Sequence, residues 1–241
     1  MKNGLLSICF LLALPWGAFC QTYNYAPNKM NIPSVTEKGD ARLSIGWGRG
    51  GVFQALELQA VYSPLPHVAF MANYFGARDN DVRKKRITGT DFYLWETAVG
   101  VYEKAPKGAA SLFAGFSSGN LYSNYGADRT AEFGIKRLFI QPGLNYRSNY
   151  FQAGLALRLN YLMYQHGVVS FAIDEPYIRY IQNLEKDSPI FLPELGIDVG
   201  MRLKPVTISI YIISVFQNTD NWGFNRINTG LSIALDLGKK S

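Results

Sequence analysis

Apolar and polar residues alternate with a period of two over most of the chain after residue 40. The clearest run begins at Phe151 and consists of an apolar set and an intervening small or polar set. The first set is Phe151, Ala153, Leu155, Leu157, Leu159, Tyr161 and Met163, and the second is Gln152, Gly154, Ala156, Arg158 and Asn160. Because successive side chains of a strand point to opposite faces, this stretch predicts a β-strand with one wholly apolar face.

The polar set predicts a crowded lumen rather than a solvated surface. A strand of a soluble sandwich would carry long charged side chains on its polar face, whereas this strand carries small residues, amides and one arginine. The stretch before the turn at Arg147–Asn149 divides in the same way. A long apolar face that can meet lipid, opposite a small polar face, is typical of a membrane β-barrel.

The same alternation predicts about ten strands, an even number, as is expected for an outer-membrane barrel formed by one chain. The predicted strands are Ala41–Gly48, Gln54–Tyr62, Val68–Phe75, Asp91–Glu103, Ser111–Ser117, the two strands of the hairpin Gly134–Tyr164, Ile190–Met201, Val206–Phe216 and Ile227–Leu237. Short links alternate with mostly longer ones such as Gly76–Thr90 and Ser118–Phe133, as expected for periplasmic turns opposite outer loops. The fold class is therefore all-β, an antiparallel transmembrane β-barrel over residues 41–238.

Three places depart from regular alternation, and one loop contains a helical pattern. Pro142 and Pro193 each remove a ladder donor, and Ile212–Ile213 interrupts the alternation, so bulges or strand ends are expected there. In the link Gln165–Pro189, Asp174 can cap a helix that has Pro176 in its first turn. Because Tyr177, Ile181 and Leu184 share one helical face, a short helix is predicted over the barrel mouth.

Residues 1–20 read as a signal peptide, with Lys2 before an apolar core at Leu5–Leu14. That core is too short for a membrane helix, and no later stretch is long or apolar enough, so membrane insertion is expected to use strands. Residues 21–40 are rich in Asn, Pro and Lys and lack periodicity, which predicts an extended periplasmic lead-in.

The two cysteines, Cys9 and Cys20, lie in or at the edge of the signal peptide. One processing route cuts after Cys20 and leaves no cysteine, and the other makes Cys20 the lipidated first residue of a lipoprotein. Phe19 is a poor match to the small residue that usually precedes a lipidated cysteine, and both routes stay open. Neither route leaves a disulfide in the fold.

Composition narrows the functional classes. A length of 241 residues suits one domain, and a mean hydropathy of −0.03 excludes a helical membrane bundle. The net charge of +6 comes from scattered basic residues rather than one stripe, so nucleic acid is not an expected partner. The aromatic content of 14% suits interface girdles, to which we assign Trp47, Tyr62, Tyr74, Tyr93, Trp95, Tyr146 and Tyr161.

The inward face carries charges that must be paired inside a narrow lumen. They are Arg42, Glu57, Glu96, Arg137, Arg158, Glu194, Asp198 and Asp236. The main expectation is a salt-bridged lumen that is largely plugged and stiffens the barrel. Because acids outnumber arginines on this face, a narrow cation-preferring channel is the first alternative.

Two further alternatives come from other functional classes. His166, Ser170 and the acids Asp174 and Glu175 could form a lipid-modifying hydrolase at the barrel rim, but the chain has no nucleophile elbow. A soluble, lipocalin-like calyx would need an apolar interior and a polar exterior. No His/Cys cluster has metal-ligand spacing, so we expect no metal. We also expect no cofactor and no enzymatic activity.

The basic run Arg83, Lys84, Lys85 and Arg86 lies in a predicted outer loop. It is either a solvated loop tip or a contact for the phosphates of lipopolysaccharide, because outer leaflets are densely anionic. The expected partners are therefore outer-membrane lipid, lipopolysaccharide and the barrel-assembly machinery.

Three stretches resemble a known family: Tyr23–Asn28, Glu37–Asp40 and Leu58–Pro64, together with the Gln-Pro hairpin at Arg137–Ser148. The chain is similar to the small outer-membrane β-barrel proteins of Bacteroidetes-type bacteria. This resemblance implies the fold and an outer-membrane location, with a lipoprotein cysteine just before the Tyr-rich segment, where Cys20 stands. It implies no activity and no catalytic residue. The expected role is structural or interactive, at the cell envelope.

Overall fold

The computed structural model describes residues 23–50, 53–78, 88–126, 128–171, 179–216 and 223–238. Within these ranges, ten antiparallel strands close into a barrel in which each strand pairs with the next and the last pairs with the first. The strands are β1 (Ala41–Gly50), β2 (Phe53–Leu65), β3 (Val68–Arg78), β4 (Gly89–Ala105), β5 (Gly108–Asn124), β6 (Thr130–Arg147), β7 (Phe151–Val169), β8 (Ile190–Leu203), β9 (Val206–Val215) and β10 (Ile227–Asp236), and one helix, α1, spans Arg179–Lys186. The predicted fold class is confirmed.

The barrel has a turn end and a loop end. At the turn end, links of two or three residues join β2 to β3, β4 to β5, β6 to β7 and β8 to β9. The start of β1 and the end of β10 lie at this end too. The remaining links lie at the loop end, and α1 lies there between β7 and β8.

Side chains alternate between an apolar exterior and a buried interior, as the sequence predicts. On β7, Leu155 and Tyr161 are exposed outward, whereas Gln152, Arg158 and Asn160 are buried inward. The same outward exposure of large apolar residues recurs on all the other strands. This exterior contradicts the calyx alternative, which needs a polar outer surface.

Some strands are longer than predicted. Strands β4 to β7 have 17 to 19 residues, so most of the expected link Ser118–Phe133 is strand. That prediction was wrong because the interior near the loop end is apolar. Leu121 and Phe133 point inward and are buried, which removes the polar and apolar contrast that identifies a strand.

The expected irregularities are also corrected. Pro142 pairs with Leu112 and Pro193 with Leu159 in ladders that keep their register. Ile212 and Ile213 lie in an unshifted ladder as well. Ile213 points inward and is 1% exposed, so an apolar residue at an inward position, and not a bulge, interrupts the sequence pattern.

The predicted short helix is present at the loop end. Ile181 and Leu184 of α1 are fully buried against the apolar residues of the lumen. Asp174, Pro176 and Tyr177, which the prediction places at the start of the helix, lie outside the described residues. Among the described residues, no helix combines the length and the apolar character needed to cross a membrane.

The segment before β1 lies inside the barrel, and we call residues 23–36 the amino-terminal plug. Residues 24–35 are all buried. The expectation of a periplasmic lead-in is therefore wrong for these residues. The segment lacks periodicity because it faces lumen side chains on all sides, where an irregular backbone is tolerated when it is buried in protein.

Candidate functional site

The structure places all eight predicted inward charges on the inner face of the barrel. Seven are at most 8% exposed, and Asp236, near the turn end, has a side chain that is 16% exposed. They divide into three groups along the lumen, and the amino-terminal plug contacts each group. The residues are Arg42, Glu57, Glu96, Arg137, Arg158, Glu194, Asp198 and Asp236.

The first group, which we call the central network, consists of Glu96, Arg137, Arg158 and Glu194. The carboxylate of Glu96 accepts hydrogen bonds from Arg137 and, at 3.4 Å, from Arg158. Nη1 of Arg158 lies 3.7 Å from Oε2 of Glu194. All four side chains are at most 1% exposed, so each charge depends on its neighbours rather than on water.

The plug completes the central network with two side chains. The hydroxyl of Tyr25 donates to Oε1 of Glu194 at 2.5 Å and accepts from Nη1 of Arg137 at 2.7 Å. Oδ1 of Asn28 accepts from both arginines, at 3.0 Å from Arg137 and 2.9 Å from Arg158. Without the plug, two buried guanidinium groups would lose neutral acceptors that they use in addition to Glu96.

The second group surrounds Lys29 of the plug. Nζ of Lys29 lies 3.2 Å from Oδ2 of Asp198 and donates to Ser232 Oγ at 2.7 Å. The backbone N–H of Lys29 donates to Oε2 of Glu57 at 2.9 Å. The other oxygen of Glu57 accepts from the Tyr211 hydroxyl at 3.1 Å. Lys29 is 5% exposed, so the plug supplies a buried cation to a group of inward acids.

The third group closes the turn end around Asp236. Nη1 of Arg42 lies 3.3 Å from Oδ1 of Asp236, and Nη2 of Arg147 lies 2.7 Å from Oδ2. Arg202 approaches the same oxygen at 3.7 Å. Arg42 also donates to the plug, to Ser34 Oγ at 2.7 Å. The plug is therefore attached to the barrel wall at this end as well.

Apolar side chains form three further clusters among the described residues inside the barrel. At the loop end, Tyr25 packs with Phe92 and Phe224, at ring-centroid distances of 6.0 and 5.5 Å. Closer to the turn end, Met30 and Ile32 form a cluster with Ala156, Tyr211 and Ile213. Val35 belongs to a further cluster. The plug thus contributes to polar and apolar contacts throughout its length.

Lys104 and Glu37 form a solvent-exposed ion pair at the turn end. Nζ of Lys104 donates to Oε1 of Glu37 at 2.5 Å, and both side chains are 54% exposed. This hydrogen bond and the positive charge of Lys104 lower the pKa of the Glu37 carboxyl below its ordinary value.

Of the residues suggested for a hydrolase, the structure describes His166 and Ser170, and each of them has other partners. The Ser170 hydroxyl hydrogen-bonds to Thr130 and to the backbone oxygen of Asp128, and Glu185 accepts from the backbone N–H of His166. Asp174 and Glu175 lie outside the described residues, as do Arg83, Lys84, Lys85, Arg86 and Cys20. No group of three or more His, Cys, Asp or Glu in the described ranges could hold a metal ion.

Reasoning from sequence missed the plug, its cation Lys29 and the strand cation Arg147, which pair with the inward acids Asp198 and Asp236. Lys29, Tyr25 and Asn28 were assigned to the lead-in, and Arg147 was assigned to a turn. The excess of inward acids over arginines was a signal of missing cations. The inward glycines Gly154 and Gly196 were another, because a Cβ on either would meet Ile32 or Met30 of the plug at 3.0 Å or less.

Comparisons with known proteins give distant similarities. No protein-family model and no curated protein matches the chain. Among solved structures, the chain is similar to the outer membrane protease OmpT from Escherichia coli, with 9% identity and a TM-score of 0.48 over 87% of this chain and 99% of that one. A KdgM porin has 8% identity and a TM-score of 0.40 over 80% and 98%. The translocator domain of the autotransporter NalP from Neisseria meningitidis has 9% identity and a TM-score of 0.36 over 82% and 87%.

Proposed function

We propose that the protein is an outer-membrane β-barrel that is closed by its own amino-terminal plug and has a structural or interaction role at the cell envelope. The observation that carries this proposal is the plug, whose residues 24–35 are all buried inside the barrel. Because the chain itself occupies the lumen along its length, the barrel leaves little room for solutes to pass. We propose no enzymatic activity.

The exterior supports a membrane location. Large apolar side chains are exposed on every strand, among them Trp47, Trp95, Leu144 and Leu231, which are 59–66% exposed. A closed barrel leaves no unpaired strand edge, so its backbone can pass through lipid. An apolar exterior around a polar, charged interior is the arrangement that a bilayer requires.

The charge balance of the interior disfavours the cation-channel alternative. That alternative rested on an excess of inward acids, but Asp198 pairs with Lys29 and Asp236 with Arg147 and Arg202. A permeating cation would have to replace these bonds and pass the plug. The alternative therefore requires displacement of the plug before any conduction.

The outer loops are the proposed interaction surface. The run Arg83–Arg86 has the charge to contact lipopolysaccharide phosphates. Replacing all four residues by Ala should weaken retention on lipopolysaccharide micelles. Replacing Lys107 and Lys204, which lie at the turn end, should leave retention unchanged.

Two measurements test the closed barrel. Detergent-extracted protein should migrate faster on a gel when it is unboiled than when it is boiled, because closed barrels resist SDS until they are heated. Reconstituted in planar bilayers, the protein should give no conductance steps, whereas a variant with residues 24–35 replaced by a Gly-Ser segment of equal length should give them. Extraction without detergent and without a gel shift would refute the membrane barrel, and conductance steps from the unaltered chain would refute the closed lumen.

A further inference from the structure

The amino-terminal plug enters the barrel at the loop end. The backbone N–H of Tyr23 donates to Oγ1 of Thr90, near the start of β4, at 3.1 Å. Asn24 donates from its backbone N–H to the Gly223 oxygen at 2.8 Å, in the link between β9 and β10. The Tyr125 hydroxyl donates to Oδ1 of Asn24 at 3.1 Å. All three contacts belong to the loop end, so the first described residues of the chain lie there.

The plug leaves the lumen at the opposite end. Ser34 contacts Arg42 and Arg147, beside the start of β1 and the end of β6. The backbone N–H of Thr36 then donates to Oδ2 of Asp40 at 2.9 Å, directly before β1 begins. Residues 23–36 therefore cross the barrel once, from the loop end to the turn end.

This crossing is fixed by contacts along its whole length. Tyr25 and Asn28 bind the central network, Lys29 binds Asp198, and Ile32 packs near Gly154. Withdrawing the plug would leave several buried charges with fewer partners, which is strongly destabilising. In the folded protein, the plug therefore runs from the loop end to the turn end.

We propose that the amino end of the mature protein is displayed on the cell surface. The ten described strands and one passage of the plug through the lumen give an odd number of crossings, so Tyr23 and the end of β10 lie at opposite ends of the barrel. An even-stranded barrel alone would leave both on the same side. The inference rests on the proposed function, in which the loop end faces outward.

The surface position applies to both processing routes. Cleavage after Cys20 would present Gln21 and its α-amine at the loop end. Acylation of Cys20 would place the lipid there, because three residues span at most about 10 Å, whereas the apolar band of a barrel is about 25 Å tall. An acyl anchor on Cys20 would then lie in the outer leaflet and not in the periplasmic leaflet.

Cysteine labelling of intact cells tests this display. Thr22→Cys places a thiol at the amino end, Lys186→Cys places one on the exposed surface of α1 at the loop end, and Asn149→Cys places one in a turn at the turn end. The unaltered chain is the baseline, since both processing routes leave it without a free thiol. The probe is a maleimide attached to a polymer too large to cross the outer membrane, applied before and after lysis.

We expect Thr22→Cys and Lys186→Cys to react in intact cells, and Asn149→Cys to react at least tenfold more after lysis than before. Reaction of Thr22→Cys only after lysis, with the other two variants as expected, would overturn the display while leaving the membrane barrel intact. Equal reaction of Lys186→Cys and Asn149→Cys in intact cells would instead overturn the membrane orientation, and the proposed display with it.

Discussion

Glu96 is the residue on which the central network depends most directly. Its carboxylate lies between Arg137 and Arg158, and Nδ2 of Asn73 donates to it at 2.5 Å. Glu96→Gln keeps the shape and removes the charge, which leaves two buried guanidinium groups opposite Glu194 alone. Breaking a buried ion pair costs about 3–5 kcal/mol. We expect a loss of this size in denaturant unfolding of the vesicle-inserted barrel.

The matched control is Glu103→Gln, the same chemical change at a site where water competes. The Glu103 side chain is 77% exposed and its partner is His67, at 3.2 Å. Exposed pairs contribute about 0–1 kcal/mol, so this variant should unfold close to the unaltered chain. Equal losses in the two variants would mean that the lumen charges are not isolated from solvent.

Glu37 predicts a pH dependence at the turn end. Because Lys104 lowers the pKa of Glu37 in the folded protein, the ion pair stabilises the fold above the ordinary glutamate pKa of about 4.3. That contribution is lost as the pH falls through the lowered value. In Lys104→Met, carboxyl chemical shifts should show Glu37 titrating at a higher pH than in the unaltered chain. An unchanged titration would show that the pair does not form in solution.

At the scale of elements, the contact between the plug and β7 gives a geometric prediction. A Cβ built on Gly154 lies 3.3 Å from Cβ of Ile32, close to the separation of about 3.5–4.5 Å found in disulfides. Ile32→Cys with Gly154→Cys should therefore oxidise to an internal disulfide, measured as the loss of two maleimide-reactive thiols after unfolding.

The control pair is Val35→Cys with Gly154→Cys. The Val35 side chain packs with Val61 and Ala69 on the opposite wall of the barrel, so both thiols should stay reactive. A disulfide in both pairs would indicate a plug that slides or rearranges, and a disulfide in neither would place the segment outside the lumen.

The elements differ in how far their sequence predicts them, and the reason is physical. β7 is predicted well because its two faces meet different environments, lipid outside and polar groups inside. The end of β5 and the start of β6 are predicted poorly, because Leu121 and Phe133 face an apolar cluster inside the barrel. Both faces of these strands are therefore apolar, and the alternation is lost. The plug has no period to detect, since its side chains point in all directions. The plug is indicated only indirectly, by strand residues that pack against it. Examples are Gly154 and the inward-facing Ile213.

In the molecule as a whole, the plug and the barrel wall supply polar and charged partners to each other. The inward acids exceed the inward arginines, and Lys29 is a cation that only the plug supplies. The wall in turn supplies charged and polar partners for Tyr25, Asn28 and Lys29. The barrel wall and residues 23–36 therefore pack as one body in the folded protein.

The membrane location predicts that the cost of an outward charge depends on depth. Phe151 and Leu157 both point outward on β7, with Phe151 at its first residue and Leu157 six residues further along. At a rise of about 3.3 Å per residue and a tilt of about 40°, that separation is about 15 Å of depth, near the middle of a band about 25 Å tall. Leu157→Arg should therefore cost about 2–4 kcal/mol and Phe151→Arg about 0–1 kcal/mol in denaturant unfolding from vesicles. Equal costs for the two arginines would mean that lipid does not surround this face, whereas the expected gradient would locate the middle of the bilayer along β7.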